Sequence, residues 1–304
     1  MRQWRARRAE DALERHLVWM VGSPRSGTTW LLNLLRAHPR IKTMDEPLIG
    51  AHLGFPASVT VGTVARSPRV GEASRALDVF GGHDDYFFSG KYEGAWREPL
   101  RRLVLGRMLA QFHDLGGRND TDFLVVKEPH GSEAADLLTK ALPASRLLVV
   151  VRDPRDVVDS VLDALQSGSW ASDLATLDDS ADTRARFVED YTRLWLERTN
   201  VVFAACRALP SDQQLLLRYE DLLADPNAGI RSCLGWLGLN VPDSIDEHVE
   251  RLSFGQLSAD VKGPGRFARA ATPGLWRQNL DPREQDIVNG IARPMLLELG
   301  YAEN

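Results

Sequence analysis

The sequence predicts an α/β fold: one domain spanning 1–304, with a central parallel sheet flanked by helices. Three observations predict it. Short apolar runs are followed by a loop and then by an amphipathic segment in three places, 16–38, 123–142 and 146–167, with a further apolar run near 214; strands alternating with helices imply a parallel sheet. The runs are continuous instead of alternating, as strands covered on both faces read. Finally, 304 residues with 43% hydrophobic composition suffice for a sizeable core, and the repeated units favour one domain over the two that length alone would allow.

The elements follow in order. Arg2, Arg5, Arg7, Arg8 and Arg15, with Trp4 and Leu13, read as a basic helix, expected to be solvated, with peripheral contact to acidic lipid as its other use. His16-Leu17-Val18-Trp19-Met20-Val21 is a buried strand that ends at glycine. The loop Gly22-Ser23-Pro24-Arg25-Ser26-Gly27-Thr28-Thr29-Trp30 leads into a helix carrying Leu31, Leu34 and Leu35, which stops by His38-Pro39. Such a loop offers backbone N–H groups and a helix N-terminus to an anion. The spacing of Gly22 and Gly27 matches the start of a Walker A loop, but Thr28 stands where that motif requires lysine, so nothing reaches for a gamma-phosphate.

Residues 49 to 120 lack regular periodicity and carry Tyr86, Phe87, Phe88, Tyr92 and Trp96 among glycines, an insertion expected to supply part of an acceptor site or a satellite cluster beneath a loop. The trio His83-Asp84-Asp85 is read as surface residues and no metal is expected. Phe123 to Lys127 is the next strand, closing on a lysine two residues before Pro129. In the third unit Asp153 suits an N-cap and Pro154 the first helical position; Arg152 ends the strand and Ser160 lies about two turns into the helix. Ser167 to Thr183, with Asp173, Asp178, Asp179 and Asp182, reads as a solvated lid or linker. Gln214 to Arg218 is a strand running into the polar turn Tyr219-Glu220-Asp221, and a last helix closes at Met295 to Tyr301.

A net charge of −5 argues against general nucleic-acid affinity, so any anion must be bound by local cations and amides. No stretch approaches the roughly 18 apolar residues of a membrane span, and no signal-peptide core is recognisable, so a cytoplasmic location is expected. Cys206 and Cys233 have no metal or redox spacing and read as packed free thiols. No heptad pattern indicates an oligomeric state.

Pro24-Arg25-Ser26-Gly27-Thr28-Thr29 resembles the 5′-phosphosulfate loop of sulfotransferases that use 3′-phosphoadenosine 5′-phosphosulfate (PAPS). Arginine at position 25, where the soluble small-molecule enzymes usually have lysine, is similar to the tyrosylprotein, carbohydrate and related bacterial branches. Arg152 with Ser160 eight positions later, Lys127 at a strand end, Tyr219-Glu220-Asp221-Leu222 and the C-terminal helix extend the likeness along the chain. The resemblance implies a P-loop NTPase-like sulfotransferase fold and PAPS as donor, released as adenosine 3′,5′-bisphosphate without a metal. It implies that Arg25, Ser26, Gly27, Thr28, Thr29 and Trp30 hold the 5′ end, and that Arg152 and Ser160 bind the 3′-phosphate. Tyr219 would lie near the nucleotide, and the basic segment 258–274, including Ser258, Lys262, Arg266 and Arg269, would close over the 3′-phosphate. Lys127 would touch the bridging oxygen and Glu46 would be the base. Asp45 is an alternative, and His130 is the reserve because Pro129 takes the place of the histidine that soluble sulfotransferases carry two residues after their lysine.

The implied reaction moves a sulfuryl group to an acceptor hydroxyl of a small molecule, glycan or glycolipid; a phenol or peptide tyrosine would suit the same donor machinery. A magnesium-dependent P-loop small-molecule kinase is the competing class, opposed by the missing lysine. A catalytically silent nucleotide-binding protein is the other; it would tolerate Glu46→Ala and Lys127→Ala.

Overall fold

Five parallel strands form the centre of the computed structural model, which describes residues 2–49, 84–173, 177 and 180–301. They are β1 (Leu17–Val21), β2 (Ile41–Asp45), β3 (Phe123–Lys127), β4 (Arg146–Val151) and β5 (Gln214–Arg218), in the order β2-β3-β1-β4-β5. Among the described residues the α-helices are α1 (Arg2–Arg15), α2 (Thr28–Leu35), α3 (Glu93–Asp114), α4 (Ala135–Ala141), α5 (Pro154–Ala164), α6 (Ala181–Ala208), α7 (Tyr219–Ala224), α8 (Pro226–Trp236), α9 (Ile245–Arg251), α10 (Trp276–Asn279) and α11 (Pro282–Glu298).

Strand alternation divides the core in two. Trp19, Val21, Leu124, Val126, Leu147 and Val149 face a layer that contains α3, α4, α5, α6 and α11. Val18, Met20, Val125, Leu148 and Val150 face α2, α8 and α9. Both sides are covered, which is why the inner strands read as unbroken apolar runs. Asp153 accepts from the Arg155 amide and Pro154 opens α5, as expected from the sequence.

Two elements depart from expectation. Strand β2 lies outside the expected strand units: it is an edge strand whose Lys42 and Thr43 are only partly buried, so it lacks the apolar signature of its neighbours. Its register places Asp45 opposite Lys127. Helix α3 occupies residues that carry Gly94, Pro99 and Gly106, all apparent breakers, yet Trp96, Leu100, Val104, Met108 and Phe112 bury one face. Trp96 is therefore a core residue, its Nε1 donating to the Ser89 carbonyl at 3.1 Å. Phe88 packs beside it, while Phe87 and Tyr92 are exposed. Residues 50–83, 174–176 and 178–179 of the expected insertions, His83, Asp178 and Asp179 among them, lie outside the described residues. No described helix is long and apolar enough to cross a membrane.

The sheet order fixes the place of a site. Adjacent strands β1 and β4 send their helices to opposite faces, α2 to one and α5 to the other, so a crevice opens at their carboxyl ends.

Candidate active site

A cleft of about 780 Å³ occupies that crevice. Its floor is the loop from Gly22 to Trp30, whose shape two glycines make possible. Gly22 has φ 144°, and a Cβ there would stand 2.1 Å from the Val150 carbonyl oxygen. Gly27 has φ 87°, and a Cβ would stand 2.4 Å from the Tyr219 ring. The Gly22 amide donates to Ser132 Oγ at 3.0 Å, tying the loop to the turns after β3. Helix α2 then begins at Thr28, presenting first-turn amides that have no acceptor within the helix.

Two arginines converge on this loop. Arg25, at φ 73°, donates through Nε to Ser160 Oγ at 3.0 Å and through Nη2 to the Phe267 carbonyl at 2.7 Å. Its guanidinium lies 5.5 and 5.2 Å from the ring centroids of Trp170 and Phe267. Burial, helped by the positive charge of Arg152, pushes its pKa down to about 10, which leaves it cationic at neutral pH. Arg152 donates through Nη1 to the Arg25 carbonyl at 2.9 Å and lies 4.6 Å above the Tyr219 ring. Its Nε is buried without a partner, as is Ser26 Oγ. Trp30 is held by a 3.1 Å bond from Nε1 to the Leu252 carbonyl, with its ring edge-on to Tyr219.

The facing wall is made of charge. Lys127 Nζ, 3% exposed, lies 2.7 Å from Thr29 Oγ1, 2.8 Å from Asp45 Oδ1 and 2.7 Å from Glu46 Oε1. The Glu46 amide continues the β2–β3 ladder by donating to the Lys127 carbonyl at 2.9 Å. The other Glu46 oxygen is 3.6 Å from His130 Nε2. Burial first, then the nearby Arg198 cation, pushes the His130 pKa down to about 4, so the ring is neutral at pH 7.

Arg25, Gly27, Thr28, Thr29, Trp30, Glu46, Lys127, His130, Arg152, Ser160 and Tyr219 all line the one cleft. Ser26 is buried beneath it, and Ser258 is exposed and outside its lining, although Leu257 and Val261 belong to it. Three acids on α5 were not foreseen at the site, and two of them, Asp156 and Asp159, line the cleft. Asp156 accepts from the Gly274 amide at 2.7 Å, Asp159 pairs with Arg269 at 2.7 Å, and Asp163 accepts from the Gly265 amide at 3.0 Å. Their spacing, 156, 159 and 163, puts them on one helix face, which is the signal the sequence offered. They strap the basic segment to α5, and the Arg269 side chain faces carboxylates. Glu220 accepts from the Asp153 amide at 3.0 Å and from the Tyr301 hydroxyl at 2.8 Å, joining α7, the N-cap of α5 and the last described residue.

A family model described as "Sulfotransferase family" matches residues 18–243. Protein-tyrosine sulfotransferase 2 of Gallus gallus is 23% identical over 293 residues, covering 95% of this chain and 70% of that protein. Protein-tyrosine sulfotransferase 1 of Danio rerio is also 23% identical, with 94% and 72% covered. Among solved structures, mouse sulfotransferase SULT7A1 complexed with PAP aligns with a TM-score of 0.55 at 13% identity, covering 94% of this chain and 87% of that one, a likeness of fold.

Proposed function

The chain belongs to the sulfotransferase family, and on that premise we propose that it transfers a sulfuryl group from PAPS to an acceptor hydroxyl. The observation that carries the proposal is the meeting, in one cleft, of a phosphate-type loop without a Walker lysine and a buried lysine held between Thr29 and a carboxylate. The residues present fit such a donor. The unpartnered Nε of Arg152 and the first-turn amides of α2, which have no acceptor within the helix, offer donors for an anionic nucleotide at the cleft.

When bound, the donor supplies an activated sulfuryl group and departs as adenosine 3′,5′-bisphosphate. The loop amides with Arg25, Thr28 and Thr29 hold the 5′ end, with Trp30 and Tyr219 beside the nucleotide. Arg152 and Ser160 hold the 3′-phosphate; Arg25, already bonded to Ser160, links the two ends. Lys127 supplies positive charge where the sulfur–oxygen bond breaks, an interaction that grows toward the transition state. Glu46 takes the proton from the acceptor oxygen as that oxygen bonds to sulfur, and Lys127 orients the carboxylate beforehand. His130, with its Nε2 3.6 Å from Glu46, is the reserve base. No metal is assigned a role.

The acceptor we propose is a hydroxyl of a small molecule, glycan or glycolipid. A peptide tyrosine is the second reading, favoured by the names of the relatives at 23% identity. Incubation with sulfur-labelled PAPS and a panel of phenols, aliphatic alcohols, sugars, glycolipids and tyrosine peptides tests it. Label should pass to one class and be lost in Lys127→Ala and Glu46→Gln. Transfer that survives both substitutions would remove the proposed chemistry. Bisphosphate binding without transfer to any class would instead favour the silent nucleotide-binding protein.

A further inference from the structure

Glu128 lies between Lys127 and Pro129 and takes no part in the chemistry above. Strand alternation turns it away from Lys127, to the side of β3 that carries Leu124 and Val126, and it is fully buried. Its Oε2 accepts from the Ile49 amide at 3.1 Å, with the Leu48 amide beside it, and its Oε1 has no partner.

The turn that Ile49 closes is the one that bears Glu46. Two of its non-glycine residues stand in left-handed backbone, Glu46 at φ 46° and Leu48 at φ 55°, a conformation that persists only when the surroundings impose it. Two hydrogen bonds impose it here. At the start the Glu46 amide is held by the Lys127 carbonyl at 2.9 Å, and at the end the Ile49 amide is held by Glu128. Gly131 keeps room for that carboxylate: a Cβ there would stand 2.7 Å from Glu128 Cγ and 2.9 Å from Oε1. Since Gly131 has φ −114°, the need is for space and not for a special backbone.

We propose that Glu128 is the positioning residue for Glu46: by gripping the Ile49 amide it fixes the turn 46–49, and with it the placing of the Glu46 carboxylate between Lys127 and His130. The functional part of this inference rests on Glu46 being the base; the anchoring does not.

Amide hydrogen exchange on the full chain tests it without any acceptor, comparing Leu48 and Ile49 with Val125 and Val126 of β3. In Glu128→Ala the Leu48 and Ile49 amides should exchange at least tenfold faster than in wild type while the β3 amides are unchanged. Glu128→Gln, which keeps an acceptor oxygen at the same reach, should restore protection to within about threefold, while Glu128→Met, of similar size but without that oxygen, should not, a difference that a merely space-filling role would not produce. Glu128→Asp, one methylene short, should behave like Glu128→Ala, and keeps the test open if the alanine variant does not fold. Gly131→Ala, which leaves the carboxylate in the chain but displaces it, should speed the same two amides. Unchanged exchange at Ile49 in Glu128→Asp and Gly131→Ala, or loss of protection there only in step with β3, overturns the proposal. Stabilisation by adenosine 3′,5′-bisphosphate is read on the same samples: its absence from wild type would remove the donor reading and leave the exchange result to decide the anchor.

Discussion

Between Gly22 and Trp30 the cleft takes its form from backbone, whereas across from it, at Asp45, Glu46, Lys127 and His130, it takes its form from charge. The loop is set by two glycines with no room for a Cβ and by a helix that starts where the loop stops. The wall depends on an edge strand whose register brings one ammonium to two carboxylates. The contrast teaches that the loop can be damaged by adding an atom, while the wall can be damaged by changing a charge at constant volume. Folding and ligand binding should therefore report on the first, and turnover on the second.

The contrast breaks most sharply at Gly22. Gly22→Ala must place a Cβ 2.1 Å from a backbone oxygen of β4 in left-handed-side backbone, and is expected to yield no cooperative unfolding transition in calorimetry. Glu46→Gln preserves shape and removes the base; turnover of PAPS should fall about 100- to 10,000-fold while the melting temperature with bisphosphate stays at the wild-type value. Arg152→Ala removes a charged donor from the loop side; a loss of about 1.5–3 kcal/mol, or about 10- to 100-fold in bisphosphate Kd by calorimetric titration, is expected.

The smallest effect is in pH dependence. Burial pushes the Glu128 pKa up to about 7 from an ordinary 4.5, against the pull of the Ile49 amide. The folded state thus binds its proton more tightly, and this contribution to stability is complete below about 4.5 and lost as pH rises through about 7. His130, pushed down to about 4, acts oppositely: its contribution is present above the ordinary 6.5 and is lost as pH falls toward about 4. The two slopes offset in wild type, so the difference between variants is the useful quantity. The Tm of Glu128→Gln relative to wild type should rise by a few degrees between about pH 5 and pH 8; a flat difference would contradict a carboxyl that titrates in this range.

The two halves also differed in legibility. The strand–loop–helix units and the start of α5 were readable because their signals are local: apolar runs, Gly22 and Gly27, Asp153 with Pro154. Strand β2 was not, because an edge strand with Lys42 and Thr43 half-exposed carries no alternation strong enough to mark it. Helix α3 hid behind Gly94, Pro99 and Gly106, and only tertiary burial of Trp96 to Phe112 overrides those breakers. Lys127 and Glu46 could be named from resemblance, but their 2.7 Å contact depends on β2–β3 register. The hold of Glu128 on Ile49 spans 79 positions and leaves no trace in local sequence.

Thermal unfolding with adenosine 3′,5′-bisphosphate, beside magnesium-ATP and AMP, tests the central claim most directly because it needs no acceptor. At 100 times its dissociation constant the bisphosphate should stabilise wild type by about 2.7 kcal/mol, with little effect from the other two ligands and with the gain cut to about 0.4–1.4 kcal/mol in Arg152→Ala. Stabilisation by magnesium-ATP alone would contradict the account and return the cleft to the kinase class.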